Sequence, residues 1–110
     1  MMNYHETDPE FMKIIEHFAL EEVVKESGQE LPEDTRYLAI LATLLGCQGL
    51  DVYKDMLPKA LDEGLTPIMV KEMVYQAVDY LGLGRVMPFL SVTGSMSILW
   101  TKKVERLCCF

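Results

Sequence analysis

Apolar residues recur every three or four positions along most of the chain, which is the period of an α-helix with one buried face. Asp8-Pro9-Glu10 is typical of a helix start, because Asp8 can cap free amides and Pro9 suits the first turn. Gly28 is placed to end that helix. The apolar stripe between these two points consists of Phe11, Ile14, Ile15, Phe18 and Val23. The sequence lacks the alternation that marks a β-strand, so the pattern predicts an all-α protein.

A second helix start, Leu31-Pro32-Glu33-Asp34, leads into the most apolar run of the chain. Between Tyr37 and Leu45, apolar residues occupy nearly every side of a helical projection. Such a helix is typically buried all round. We therefore expect this helix to be the central element of the fold, with Gly46 ending it.

Three more helices are predicted at residues 50–61, 66–81 and 85–107. Thr66 is placed to cap the second of these helices, and Gly82 to break it. Pro58 lies inside the first, where its missing backbone donor predicts a kink near residue 54 or a helix that restarts. Pro88 and Gly94 predict that the last helix is bent or split. The total is five to six helices.

The length and composition indicate how this helical chain is organised. A chain of 110 residues, half of them hydrophobic, fits one domain spanning residues 1–110. Its apolar residues exceed what one small helical domain covers well, and large exposed apolar patches usually mark interfaces. We therefore expect a homo-oligomer in which the C-terminal helix contributes the contact.

The formal net charge of −7 is distributed unevenly. Residues 1–34 carry ten acidic and two basic side chains, whereas residues 35–110 carry seven and eight. An acidic surface repels phosphate backbones, so nucleic acid is not an expected partner.

Apolar segments and cysteines favour a cytoplasmic protein without a membrane span. The acidic start lacks the apolar segment of a secretory signal, and the longest apolar stretch, Tyr37 to Cys47, is about half of the ~20 residues that a membrane helix needs. Three cysteines, an odd number without framework spacing, are typical of a reducing compartment. No spacing typical of a metal site, a P-loop or a dinucleotide fingerprint occurs, so neither a metal nor a cofactor is expected.

Cys47 is the first candidate for chemistry, because it lies between a helix end and a helix start. Free amides at a helix start favour the thiolate form of a nearby cysteine, which makes Cys47 a candidate nucleophile. The alternative is a small apolar residue packed in a turn. Cys108 and Cys109 near the C-terminus offer a resolving role, although adjacent cysteines bridge only with strain.

Four polar residues form a second candidate site. Glu72, Gln76 and Tyr80 lie four residues apart, on one strip of a helix, and together can bind a small polar ligand or transfer protons. The alternative is the solvated edge of an amphipathic helix. Arg36 can hold a carboxylate in a bidentate manner, or pair instead with a nearby acid such as Glu33.

Residues 31–90 resemble the carboxymuconolactone decarboxylase family, which includes the alkylhydroperoxidase D-like proteins. The segments that carry the resemblance are Thr35-Arg36, Leu38–Ala42, Gly46–Leu50, Ala60–Pro67, Lys71–Ala77 and Tyr80–Gly82. The resemblance implies an all-α fold and a homo-oligomer, usually a trimer or hexamer. It also implies one of two activities: cofactor-free decarboxylation of a carboxylated muconolactone, or reduction of hydroperoxides by a C-x-x-C pair with a nearby histidine.

The sequence departs from both patterns at identifiable positions. Family members often carry a histidine four residues before the alanine that matches Ala60, and here that residue is Met56. The redox cysteines would fall at Gly49 and Val52, which excludes a C-x-x-C mechanism.

Three hypotheses remain. The first is a cofactor-free lyase for a small carboxylated compound, with Arg36 holding the carboxylate and Glu72, Gln76 and Tyr80 forming the polar wall. The second is a non-catalytic ligand-binding or assembly protein, and the third is a peroxidase that acts through Cys47 alone. Across the hypotheses, the candidate catalytic residues are Cys47 and Glu72.

Overall fold

The computed structural model describes residues 4–23 and 31–108, and every regular element in those two ranges is helical. This confirms the predicted all-α character with five to six helices. The α-helices are α1 (Tyr4–Thr7), α2 (Pro9–His17), α3 (Glu33–Gly46), α4 (Leu50–Asp62), α5 (Pro67–Leu81) and α6 (Leu83–Cys108). A π-helical turn, Phe18–Glu22, continues α2. The chain divides into two compact units, Met1–Leu31 and Pro32–Phe110, and the family resemblance falls almost entirely in the second.

The first unit contains α1, α2 and the π-helical turn. The helix begins at Pro9 as predicted, but the predicted cap is wrong, since the Asp8 side chain does not bond to the free amides. Its Oδ2 instead accepts a hydrogen bond of 2.8 Å from Oγ1 of Thr7. The predicted apolar stripe is exposed along its whole length, with Phe11 at 61% and Ile14 at 67% exposure. Gly28, the predicted end of this helix, lies outside the described residues.

The π-helical turn changes the side-chain register after His17. The amide of Val23 donates to the carbonyl of Phe18, five residues earlier. The turn places two carboxylates on one imidazole: Glu21 lies 2.7 Å from Nδ1 of His17, and Glu22 lies 3.2 Å from its Nε2. The segment is therefore an amphipathic helix with an acidic polar side and an uncovered apolar face.

The second unit is a bundle of the four helices α3 to α6. Helix α4 packs against α3 and α6, and α5 packs against α3 and α6. The buried apolar core consists of Tyr37, Leu41, Leu45, Tyr53, Met56, Leu57, Ala60, Leu61, Leu65, Val70, Val74, Val86 and Phe89. Helix α4 contributes the most of these side chains, so it is as central to the core as α3.

The prediction that α3 is buried all round is wrong for the single chain. Only Tyr37, Leu41 and Leu45 are buried, and they lie on one face at intervals of four residues. Ala39 and Ala42, on the other side, are exposed. The physical reason is that α3 packs against two neighbours, α4 and α5, which cover one side of a helix.

Helix ends follow the sequence signals more closely than helix interiors do. Oγ1 of Thr66 accepts a hydrogen bond of 3.2 Å from the amide of Met69, which confirms the predicted cap. Gly82 separates α5 from α6 with φ of +88°, a conformation that favours glycine. By contrast, α4 runs through Pro58 and α6 runs through Pro88 without interruption. This excludes the predicted restart of α4 and the predicted split of α6, while the alternatives, a kink and a bend, stay predictions. Each proline removes one backbone donor, and packing along the rest of the helix offsets that loss.

No helix within the described ranges has both the length and the apolar character needed to cross a membrane.

Candidate functional site

Arg36 lies in the first turn of α3, with its side chain 17% exposed. Its guanidinium forms a two-point interaction with Glu33, in which Nε donates to Oε1 at 3.3 Å and Nη2 donates to Oε2. It also packs on Tyr37, with Cζ 4.8 Å from the ring centroid. The hydrogen bond with Glu33 holds the pKa of Arg36 above its ordinary value, so the group is a permanent cation.

The third guanidinium nitrogen of Arg36, Nη1, does not bond to Glu33. Nη1 is buried from solvent, and within the described ranges no side chain or carbonyl accepts a hydrogen bond from it. A buried donor without a partner costs about 1–3 kcal/mol. The pairing with Glu33 that the sequence offered as an alternative to ligand binding is therefore present, and yet it leaves a donor available for a further acceptor.

Cys47 lies between a helix end and a helix start, as the sequence predicts. It is the C-cap residue of α3, and its amide donates to the carbonyl of Thr43 at 3.0 Å. The helix start that follows belongs to Gly49, the N-cap of α4. The exposed thiol donates to the carbonyl of Leu44 at 3.6 Å. The Cys47 sulfur also lies beside the start of α4, 3.5 Å from the position that a Cβ atom on Gly49 would occupy.

Arg36 and Cys47 are at opposite ends of α3. With a rise of 1.5 Å per residue, the helix separates their backbones by about 16 Å. A single small molecule bound at Arg36 is therefore too distant to react at Cys47 of the same chain.

Glu72, Gln76 and Tyr80 form an exposed strip along α5. Tyr80, at 89% exposure, is almost fully solvated. Within one chain, the strip has the geometry of a solvated helix edge rather than that of an enclosed wall.

Met56 occupies the position that matches the family histidine. It lies on α4, inside the core, with 7% exposure. A thioether neither donates nor accepts a proton at physiological pH, and this side chain is also screened from solvent.

Three surface depressions of the described residues are lined by side chains other than Arg36, Cys47, Glu72, Gln76 and Tyr80. One lies between α4 and α6 and is lined by Pro58, Leu61, Met96, Leu99 and Trp100, with Asp62 and Lys103. Another, near the end of α6, is lined by Leu99, Lys102, Lys103, Arg106 and Leu107. The sequence signal for these residues is the basic cluster Lys102, Lys103 and Arg106 in the last turns of a long helix, which matches no catalytic motif. Within the described residues, His, Cys, Asp and Glu do not gather in threes around a possible metal position.

Comparison of the chain with protein-family models, with curated proteins and with solved structures gave no significant match in any of the three searches.

Proposed function

We propose that this chain is a self-assembling protein of the carboxymuconolactone decarboxylase type that binds a small carboxylated compound at Arg36. The observation that carries the proposal is the buried Nη1 of Arg36, which lacks an acceptor while Glu33 occupies the other side of the guanidinium. A carboxylate oxygen is the acceptor that a guanidinium binds best. The motifs of residues 31–90 and the all-α bundle support the family assignment.

Self-assembly is the second part of the proposal. Large apolar side chains remain exposed on α5 and α6, including Ile68, Leu83, Met87 and Leu99. The exposed side of α3 adds Ala39 and Ala42, which permit close approach of another helix. Covering these surfaces with further copies, as in a trimer or hexamer, would also enclose the strip formed by Glu72, Gln76 and Tyr80.

The reaction that this arrangement favours is decarboxylation without a cofactor. The bond between the carboxylate carbon and its neighbour breaks, carbon dioxide leaves, and the electron pair stays on the neighbouring carbon until a proton arrives there. Glu72 is the candidate proton donor, with Gln76 and Tyr80 as polar contacts for the rest of the substrate. Arg36 holds a carboxylate of the substrate as a binding residue.

The binding step is tested by calorimetry with carboxymuconolactone and a panel of small mono- and dicarboxylates. We expect Arg36→Ala to abolish the binding of whichever acid binds, and Arg36→Lys to weaken it, because an ammonium lacks the planar pair of donors. Arg85→Ala is the matched control, since Arg85 is an exposed arginine on α6. Far-UV circular dichroism verifies folding. Unchanged binding in Arg36→Ala, or no binding by the wild type at millimolar ligand, contradicts the proposal.

The buried Met56 favours a second candidate function, a non-catalytic binding protein that has kept the fold. This alternative predicts binding of the carboxylate without release of carbon dioxide. It further predicts that Met56→His, but not Met56→Gln, introduces turnover, because only histidine supplies a group that exchanges protons near neutral pH. If the wild type releases carbon dioxide and Arg36→Ala does not, the protein is the lyase and not the non-catalytic binding protein.

The exposure of the Cys47 thiol favours a third, one-cysteine peroxidase function. In that reaction the sulfur attacks the peroxide, water or an alcohol leaves, and an external thiol reduces the resulting sulfenic acid. Cys108 is the matched comparison, because it is also exposed and free. A Cys47 that reacts with hydrogen peroxide no faster than Cys108 excludes this function.

A further inference from the structure

The groove between α4 and α6 is lined mainly by apolar side chains. Its lining includes Pro58 and Leu61 from α4, and Met96, Leu99 and Trp100 from α6. At the same place Lys103 pairs with Asp62 at 3.7 Å and lies over the Trp100 ring, with Nζ 5.3 Å from the centroid. The charge of Lys103 is thus engaged within its own unit.

Helix α6 extends this groove with a basic surface. Every residue from 101 to 108 is exposed, which is two turns of helix without packing. The depression beside these turns shares Leu99 and Lys103 with the groove, so the two surfaces are continuous. Lys102 and Arg106 lie one turn apart on it, and within residues 4–23 and 31–108 neither has an ion-pair partner. The whole surface, defined by both depressions, is called the α6 groove below.

The first unit carries a helix with the complementary character. Its apolar face, with Phe11, Ile14 and Phe18 exposed, has no buried residue. Acidic residues predominate on its other sides, namely Glu10, Glu16, Glu21 and Glu22 against one lysine, Lys13. From Pro9 to Glu22 it spans about 20 Å, similar to the ~17 Å from Met96 to Leu107 along α6.

We propose that the α6 groove of one copy binds the acidic amphipathic helix, residues 9–22, of a second copy. The apolar face of the incoming helix covers Leu99 and Trp100, as amphipathic helices do when they bind grooves in other proteins. Lys102 and Arg106, which have no ion-pair partner within residues 4–23 and 31–108, then face the polar side of this helix, where Glu10, Glu16, Glu21 and Glu22 outnumber Lys13. The proposal rests on the self-assembly proposed above and names the contact that produces it.

Charge exchange tests this contact in the full-length chain. The two variants are Lys102→Glu/Arg106→Glu in the groove and Glu10→Lys/Glu21→Lys in the helix. The matched control is Lys54→Glu/Lys59→Glu on α4, which makes the same charge change at an exposed and a half-buried position that line neither depression. Sedimentation velocity over a range of concentrations gives the dissociation constant of each. Circular dichroism verifies that helix content is unchanged.

We expect each charge-exchanged variant to raise the dissociation constant about tenfold or more, because like charges across an interface are repulsive. The control should assemble as the wild type does. Mixing the two weakened variants should restore assembly, since the lysines of one helix then face the glutamates of the other copy's groove. The second pairing in the mixture, wild-type groove with wild-type helix, is also intact.

Two results overturn the contact and leave self-assembly standing: a wild-type dissociation constant for Lys102→Glu/Arg106→Glu, or a mixture that does not assemble. A wild type that stays monomeric at every concentration overturns both the contact and the proposed self-assembly. Restoration in the mixture, with an unaffected control, establishes that the contact joins two copies.

Discussion

A buried pair of hydroxyl groups joins α4 to α6 and supports a quantitative prediction. Tyr53 and Thr93 are both buried, and their oxygens lie 2.6 Å apart. The Thr93 hydroxyl has one hydrogen, and it donates to the carbonyl of Phe89 at 2.8 Å. The Tyr53 hydroxyl must therefore be the donor to Thr93. The Tyr53 ring also packs edge-on against Phe89, with centroids 5.0 Å apart.

One single substitution removes the acceptor of this hydrogen bond, and the other removes its donor. Thr93→Val keeps the shape but leaves the Tyr53 hydroxyl buried without an acceptor, which costs about 1–3 kcal/mol. Tyr53→Phe removes the donor, while Thr93 keeps its bond to Phe89, so we expect a loss of only about 0.5–1.5 kcal/mol. In the double variant no hydroxyl is stranded, so its loss should be smaller than the sum of the singles by about 1 kcal/mol.

Urea unfolding at one fixed protein concentration, followed by circular dichroism, measures these free energies of unfolding. Thr101→Val is the matched control. Its hydroxyl makes the same kind of bond, 2.9 Å to the carbonyl of Ser97, on an exposed part of α6 without a tyrosine partner. We expect it to change stability by less than about 0.5 kcal/mol. A Thr93→Val variant as stable as Thr101→Val, or strictly additive single substitutions, would refute the stabilising role of the buried hydrogen bond between Tyr53 and Thr93.

Three further outcomes follow from individual residues. Burial raises the pKa of Tyr53 above its ordinary value of 10.0, so folding stabilises the neutral phenol. The free energy of unfolding should therefore decline above about pH 10, as the pH rises toward the pKa of the folded state. Urea unfolding at alkaline pH should show a smaller decline for Tyr53→Phe. Gly82→Ala should lower stability by about 1–3 kcal/mol, because φ of +88° with ψ of 150° is strained for alanine. Gly94→Ala lies inside α6 with open space around the new methyl group, so it should raise stability by about 0.5–1 kcal/mol. Equal effects of the two substitutions in thermal unfolding would contradict this contrast. Thr66→Ala should cost about 1 kcal/mol through loss of the bond from the Met69 amide, whereas Thr66→Ser should cost much less, and urea unfolding distinguishes the two.

Local signals along the chain predicted the helices and most of their ends. The period of apolar residues depends only on which residues share a face, so it identified α2 to α6. Thr66 and Gly82 act on backbone groups within a few residues, and both were correctly placed. The pair between Arg36 and Glu33 was foreseeable for the same reason, since residues three apart on a helix are neighbours.

Features that depend on other helices were not predictable in this way. The Tyr53–Thr93 bond joins residues that are 40 positions apart, and no local pattern connects them. The prolines of α4 and α6 weaken a helix locally, but packing across the bundle decides whether it breaks. The surroundings of Cys47 were not predictable either. Sequence spacing placed Cys47 near a helix start, but it did not show that its amide and its thiol both donate hydrogen bonds to carbonyls of α3.

The error about α3 concerns what an apolar pattern means. Both sides of α3 are apolar in sequence, but the single chain buries only the side that carries Tyr37, Leu41 and Leu45. The same discrepancy occurs on residues 9–22, whose apolar stripe is uncovered, and on the last turns of α6. Each of these three faces exposes apolar area at a cost in free energy, and the self-assembly proposed above would cover them. Nη1 of Arg36 is a comparable polar case, because it is buried and has no acceptor among residues 4–23 and 31–108. The proposed assembly would bury the exposed apolar faces, and the proposed carboxylate ligand would supply the missing acceptor for Nη1 of Arg36. The two proposals therefore explain complementary features of the same chain.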